Sequence, residues 1–152
     1  FEVDLTRVAT TAREDDRGKI HSVDELPTLL PHTEVVVLIT PLTESTNQLV
    51  NKDFLSRLPD NALVVNVARG KVVDTDALVA ELSTGRLHAA LDVMDPEPLP
   101  ENHPLWGTPN TLITPHEGGD TSAFEPRVVQ ILAEQVRRLN DGEQPLNLVS
   151  TE

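Results

Sequence analysis

Glu34-Val35-Val36-Val37-Leu38-Ile39, followed by Thr40-Pro41, is the stretch that decides the fold. A β-branched run without apolar/polar alternation reads as a strand buried on both faces, which is the pattern of a parallel sheet with helices on each side. Ala62-Leu63-Val64-Val65-Asn66-Val67 repeats it, and Ala89-Ala90-Leu91-Asp92-Val93 and Thr111-Leu112-Ile113-Thr114 follow as shorter strands. Helical signals fall between them. Asn51 can cap a helix over residues 51–58 with Phe54, Leu55 and Leu58 on one face, before the Pro59-Asp60-Asn61 turn. Asp74 can cap another that carries Ala77, Leu78 and Leu82 and closes on Gly85. Upstream, residues 5–11 read as the first strand, Arg13-Glu14-Asp15-Asp16-Arg17-Gly18 as a charged turn, and Ser22 as the cap of a short helix over 23–30 that stops before Pro31. Downstream, residues 95–109 are a proline-rich loop, residues 121–139 a long amphipathic helix with Val128, Ile131, Leu132 and Val136 inward, and residues 145–149 an extended tail. Strand and helix alternate throughout, which is the mark of βαβ units.

Composition narrows the function classes. The 152 residues suit one domain, and 38% apolar residues can furnish a core. There is no cysteine, so no disulfide, thiol nucleophile or cysteine-bound metal is available, and no metal site is expected. A net charge of −13, from 12 Lys+Arg against 25 Asp+Glu, argues against nucleic acid, whose phosphates are met by basic side chains. The scattered acids read as a solubilising surface. No apolar run approaches a membrane span, so no membrane partner is expected. The chain opens at Phe1-Glu2-Val3 without Met and without a targeting pattern, as though cut from something longer, and a cytoplasmic location is expected.

In open parallel sheets the ligand crevice lies beyond the carboxyl ends of the strands. The residues there are Thr11-Ala12-Arg13, Thr40-Pro41-Leu42-Thr43, Asn66-Val67-Ala68-Arg69-Gly70, Leu91-Asp92-Val93 and Thr114-Pro115-His116. Arg69 leaves an apolar strand directly before a glycine, Glu97 sits among prolines, and His116 lies between Pro115 and Gly118-Gly119. An arginine fork can hold a carboxylate, and a histidine can exchange a proton near neutral pH. His21, His32, His88 and His103 have no comparable setting, and Trp106 reads as packing.

Asn66-Val67-Ala68-Arg69-Gly70, Leu91-Asp92-Val93-Met94-Asp95-Pro96-Glu97-Pro98-Leu99-Pro100 and Thr114-Pro115-His116-Glu117-Gly118-Gly119 resemble, in order, the motifs of the D-isomer-specific 2-hydroxyacid dehydrogenases. With Thr40-Pro41-Leu42-Thr43, the likeness covers nearly the whole chain. It implies a Rossmann-like, doubly wound α/β sheet and hydride transfer between NAD(P)H and a small 2-oxo acid or D-2-hydroxy acid, with glyoxylate or hydroxypyruvate reduction as a subtype. It also implies that Arg69 grips the substrate carboxylate, that His116 is the acid/base and that Glu97 pairs with His116. Asp92 would accept from the nicotinamide carboxamide, while Thr40, Pro41, Val67, Ala68 and Gly118 would line the cofactor. A homodimer is implied as well. The alternatives are a dinucleotide-binding corepressor-like protein and a truncated, inactive fragment.

Cofactor choice rests on the end of the first strand. An acid there holds the ribose of NAD and an arginine accommodates the 2′-phosphate of NADP; Arg13 favours NADP, with NAD the alternative. Against the family pattern, none of the seven glycines forms the G-x-G-x-x-G turn that cradles the pyrophosphate. Residues 1–140 therefore read as a partial dinucleotide-binding domain lacking its first strand and glycine loop, and 141–152 as a tail returning toward an absent substrate domain. That first strand is central in the 3-2-1-4-5-6 order. Without it, two sheet halves with unpaired edges are expected.

Overall fold

The computed structural model describes residues 2–148. It divides into two units, the first ending at Pro115 and the second beginning at His116.

In the first unit, β4 (Val35–Leu38), β5 (Leu63–Asn66), β6 (His88–Leu91) and β7 (Thr111–Ile113) form one parallel sheet in that order. The register runs straight across it: Leu38 opposes Asn66, Asn66 opposes Leu91 and Leu91 opposes Ile113. A second, three-stranded sheet has the order β1 (Arg7–Ala9), β3 (Gly18–Ser22), β2 (Arg13–Asp15), with β1 parallel and β2 antiparallel to β3. The architecture is Rossmann-like α/β, and the strands fall into two separate sheets as expected. β1 and β4 each end a sheet, with no strand on their outer edges among the described residues.

The helices of this unit form where their caps stand. Asn51 accepts the Phe54 amide (3.1 Å) at the start of α2 (Lys52–Ser56), and Asp74 accepts the Ala77 amide (3.1 Å) at the start of α3 (Thr75–Ser83). Gly85, at φ +75°, follows α3 in the left-handed conformation that glycine adopts without penalty. Phe54, Leu55, Leu58, Leu78 and Leu82 pack with Val64, Ala89 and Leu91 in one core. Arg86 ties α2 to α3, donating to the Leu55 and Leu58 carbonyls (2.8 Å each) and to Glu81 (2.7 Å). Leu30 joins this core from a short helical stretch made of 3-10 turns around α1 (Leu26–Leu29); it runs past Pro31, which sits where a helix needs no amide, to His32.

Other expectations change as well. Residues 13–18 form a hairpin rather than an irregular turn, because Asp15 accepts from the Arg17 amide and Gly18, at φ +101°, carries the chain into β3. The apolar run at 34–39 is covered on one face only: Leu38 is buried, whereas Val35 and Val37 are half exposed and Ile39 is 76% exposed. In the second unit, α4 (Phe124–Asn140) is amphipathic but buries no residue; Ile131, Leu132 and Val136 are exposed.

The tail folds back onto α4. Gln135 donates to the Leu146 carbonyl (2.9 Å) and accepts its amide (2.8 Å), and Arg138 donates to the Gln144 carbonyl (2.7 Å). Residues 145–148 thus bend where extension was expected, and Val149 lies outside the described residues.

Candidate functional site

Because the four parallel strands end in register, the residues just beyond them emerge along one edge. Thr40 and Pro41 come after β4; Val67, Ala68 and Arg69 after β5; Asp92 after β6; Thr114 after β7. This is the crevice edge of an open parallel sheet.

Asn66, the last residue of β5, organises the turn that bears Arg69. It is the only buried polar residue among those described, 1% exposed, and both halves of its amide are used: Oδ1 accepts the Ala68 amide (3.0 Å) and Nδ2 donates to the Arg69 carbonyl (3.1 Å). Arg69 stands exposed, with one guanidinium N–H on the Ala68 carbonyl at 2.6 Å. A guanidinium has five donors, so an exposed fork of permanent charge is left for an anion. Val67 is half exposed beside it, and Ala68 is buried.

Asp92 takes the Thr114 hydroxyl on Oδ1 at 2.6 Å, while its amide bonds to the Asn66 carbonyl (3.0 Å). This clamps the end of β6 to the exit of β7. Thr40 is half-buried, and its Oγ1 is enclosed without a hydrogen-bond partner among the described residues. An enclosed hydroxyl left without a partner is uncommon in folded proteins. The Pro41 carbonyl accepts the Thr46 hydroxyl (2.7 Å), holding the loop after β4. Glu97 lies in the proline loop, two residues beyond Asp95, whose backbone nitrogen would stand 2.7 Å from a Cβ placed on Gly70. Arg13 opens β2 and is exposed, its guanidinium 3.4 Å from the Thr11 carbonyl.

His116 and Gly118 belong to the second unit. His116 has φ +59°, left-handed backbone that costs a non-glycine residue about 1 kcal/mol or more and is found preferentially at functional sites. Gly118 is exposed in a turn closed by the Asp120 amide on the Glu117 carbonyl (2.9 Å).

Asn66, Gly70 and Thr75, whose hydroxyl donates to the Asp95 carbonyl (2.8 Å), emerge as supports of this edge that residue types alone did not reveal. The one signal was a polar side chain ending an otherwise apolar strand. Thr40 and Asp92 both stand at this edge, where a dinucleotide lies in an open parallel sheet. Nothing in the sequence supplies the glycine cradle for its pyrophosphate. Among the described residues no cluster of His, Asp and Glu could hold a metal ion, and no helix is long and apolar enough to cross a membrane.

Known proteins agree with this architecture. Residues 1–118 match the family model for the NAD-binding domain of D-isomer specific 2-hydroxyacid dehydrogenases. A glyoxylate reductase of Thermofilum pendens is 40% identical over 129 residues, 84% of this chain and 38% of that protein. A D-isomer specific 2-hydroxyacid dehydrogenase of Xanthobacter autotrophicus, solved with NADPH, is 39% identical, with a TM-score of 0.82 over 94% of this chain and 59% of that one. An NADPH-dependent glyoxylate/hydroxypyruvate reductase of Sinorhizobium meliloti, solved with NADP and malonate, is 28% identical, with a TM-score of 0.84 over 97% of this chain and 46% of that one. The chain spans about two-fifths of the length of the curated relatives it matches. It belongs to the D-isomer specific 2-hydroxyacid dehydrogenase family, its residues 1–118 corresponding to the NAD-binding domain.

Proposed function

We propose that this chain is the cofactor-binding part of an NAD(P)-dependent reductase of small 2-oxo acids, glyoxylate or hydroxypyruvate foremost, as the names of its relatives suggest. The observation that carries the proposal is the edge formed by the in-register ends of β4 to β7, where an exposed arginine, a clamped aspartate and an enclosed, unpartnered threonine hydroxyl lie just beyond strand ends.

In this reading Arg69 holds the substrate carboxylate in its fork and favours the charge that grows on the adjacent carbonyl oxygen. His116 gives that oxygen a proton during reduction and takes it back during oxidation. Glu97 orients the imidazole and favours its charged form. Asp92, kept in place by Thr114, accepts from the nicotinamide carboxamide, and Thr40, Pro41, Val67, Ala68 and Gly118 line the dinucleotide. When bound, NADPH or NADH supplies the hydride. Arg13 meets the 2′-phosphate, which makes NADP the preferred cofactor; neighbours solved with NADPH and NADP support this. Residues 141–152 are the return toward a substrate domain. A homodimer and a cytoplasmic location complete the proposal.

Turnover of glyoxylate, hydroxypyruvate and pyruvate with NADPH and NADH tests it, both on this chain and on a form extended upstream by the substrate domain, a strand and the glycine-rich turn. The extended form is expected to turn over. Arg69→Ala should raise the KM for the 2-oxo acid by about 10- to 100-fold, the worth of a charge-assisted contact. His116→Asn should lower kcat by about 100-fold or more. Arg13→Ala should raise the KM for NADPH far more than that for NADH. No turnover in the extended form, or equal effects of Arg13→Ala on both cofactors, would count against the respective assignments.

A further inference from the structure

The turn carrying Arg69 and the loop carrying Glu97 come from different strands; one contact joins them directly, and a second ties the loop to the start of α3, five residues beyond Gly70. The first is a backbone-to-backbone approach at Gly70, where any side chain would overlap the Met94 carbonyl and stand 2.7 Å from the Asp95 nitrogen. Gly70 and Met94 are both buried, so neither can give way into solvent. The second is a hydrogen bond from the Thr75 hydroxyl to the Asp95 carbonyl at 2.8 Å, between residues far apart in sequence. Thr75 is the first residue of α3, and Asp74 already caps that helix, so the helix itself has no need of the hydroxyl. Asn66 completes the frame from the other side of the turn through the Ala68 amide and the Arg69 carbonyl.

We propose that Thr75 is a positioning residue, whose hydroxyl holds residues 94–97 against Gly70 and thereby sets where Arg69 presents its guanidinium to an incoming carboxylate. The inference rests on the reading of Arg69 as a carboxylate-binding residue. It adds the element that makes the Arg69 turn and the Glu97 loop move as one body. Val replaces Thr at nearly equal volume without the donor, and Ser keeps the donor without the methyl group. The pair therefore separates the hydrogen bond from packing, whereas Gly70→Ala alone could simply unfold the region.

The test compares wild type, Thr75→Val and Thr75→Ser, each in a form extended upstream by the substrate domain, strand and glycine-rich turn, by amide hydrogen exchange at Ala68 and Val72, whose amides bond to Asn66 Oδ1 and to the Arg69 carbonyl, and by glyoxylate and NADPH affinities measured by titration. Thr75→Val should speed exchange at both amides and weaken glyoxylate about fivefold, the worth of one neutral hydrogen bond, with NADPH affinity unchanged. Thr75→Ser should restore both. Unchanged exchange at Ala68 and Val72, or an equal loss of both ligands, would overturn the proposal. If glyoxylate binds none of the three proteins, the reading of Arg69 fails, and the exchange pattern alone decides whether Thr75 couples the two segments.

Discussion

At the scale of single residues, Asn66 shows how a buried polar group earns its place by using both faces of its amide. Its donor meets the Arg69 carbonyl and its acceptor meets the Ala68 amide, a pairing that no carboxylate can reproduce. Asn66→Asp should lower unfolding stability by about 1–3 kcal/mol in urea denaturation, since the carbonyl loses its donor and a charge is buried. An unchanged midpoint would mean that this turn is not held through Asn66. Glu25 is the corresponding case for charge. It accepts from His21 (2.8 Å), from the Ser22 amide (3.0 Å) and from Lys19 (3.1 Å), and these partners, His21 foremost, pull its pKa from 4.5 down to about 2. A carboxyl held lower in the folded state binds its proton more readily when unfolded. The stabilisation is therefore complete above about pH 4.5 and is lost as the pH falls toward 2. Stability measured across that window should fall less steeply with acid in Glu25→Gln than in the wild type. Parallel slopes would show that Glu25 contributes nothing to the acid response.

At the scale of elements, what the sequence carried was local chemistry, and what it did not carry was coverage. The caps of α2 and α3 were legible because Asn51 and Asp74 act on amides three residues away, and Gly85 was legible because only backbone conformation selects it. Asp74→Ala should therefore cost about 1 kcal/mol, read as a lower urea midpoint with an unchanged slope. An unchanged midpoint would show that packing of Leu78 and Leu82 alone sustains α3. The candidate edge was legible for the same local reason: Arg69, Asp92 and Thr114 lie just beyond strand ends, and register does the rest. The hairpin of β2 and β3 was missed because its residues, Arg13-Glu14-Asp15, are charged and exposed; their pairing is fixed by the turn and by Arg7, which grips Asp15 with two bonds of 2.8 Å. The stripe on α4 was legible as a pattern. Its burial depends on what lies against it, which periodicity cannot reveal.

At the scale of the molecule, the decisive fact is that the strands form two separate sheets and the longest apolar run is half bare. β1 and β4 each lack a partner on their outer edge among the described residues, and Val35, Val37 and Ile39 expose 52%, 53% and 76% of their surface. An unpaired edge presents free backbone groups to another strand, and the bare apolar face beside it favours association. The same bare run that marks β4 as an interior strand by composition should therefore drive the isolated chain into contact with other strands. Sedimentation velocity at rising concentration should show self-association of the 152-residue chain, and Val37→Lys with Ile39→Lys should suppress it. Since both side chains are exposed, the double substitution should shift the unfolding midpoint little, by about 0.5 kcal/mol per site at most. Extending the chain upstream with a strand, glycine-rich turn and helix should have the same suppressing effect, and in that form the lysines should become destabilising, because the added helix would then cover the face that bears Val37 and Ile39. A chain that stays monomeric at every concentration, or lysines that are equally tolerated in both forms, would show that the edge of β4 is not where an added strand docks.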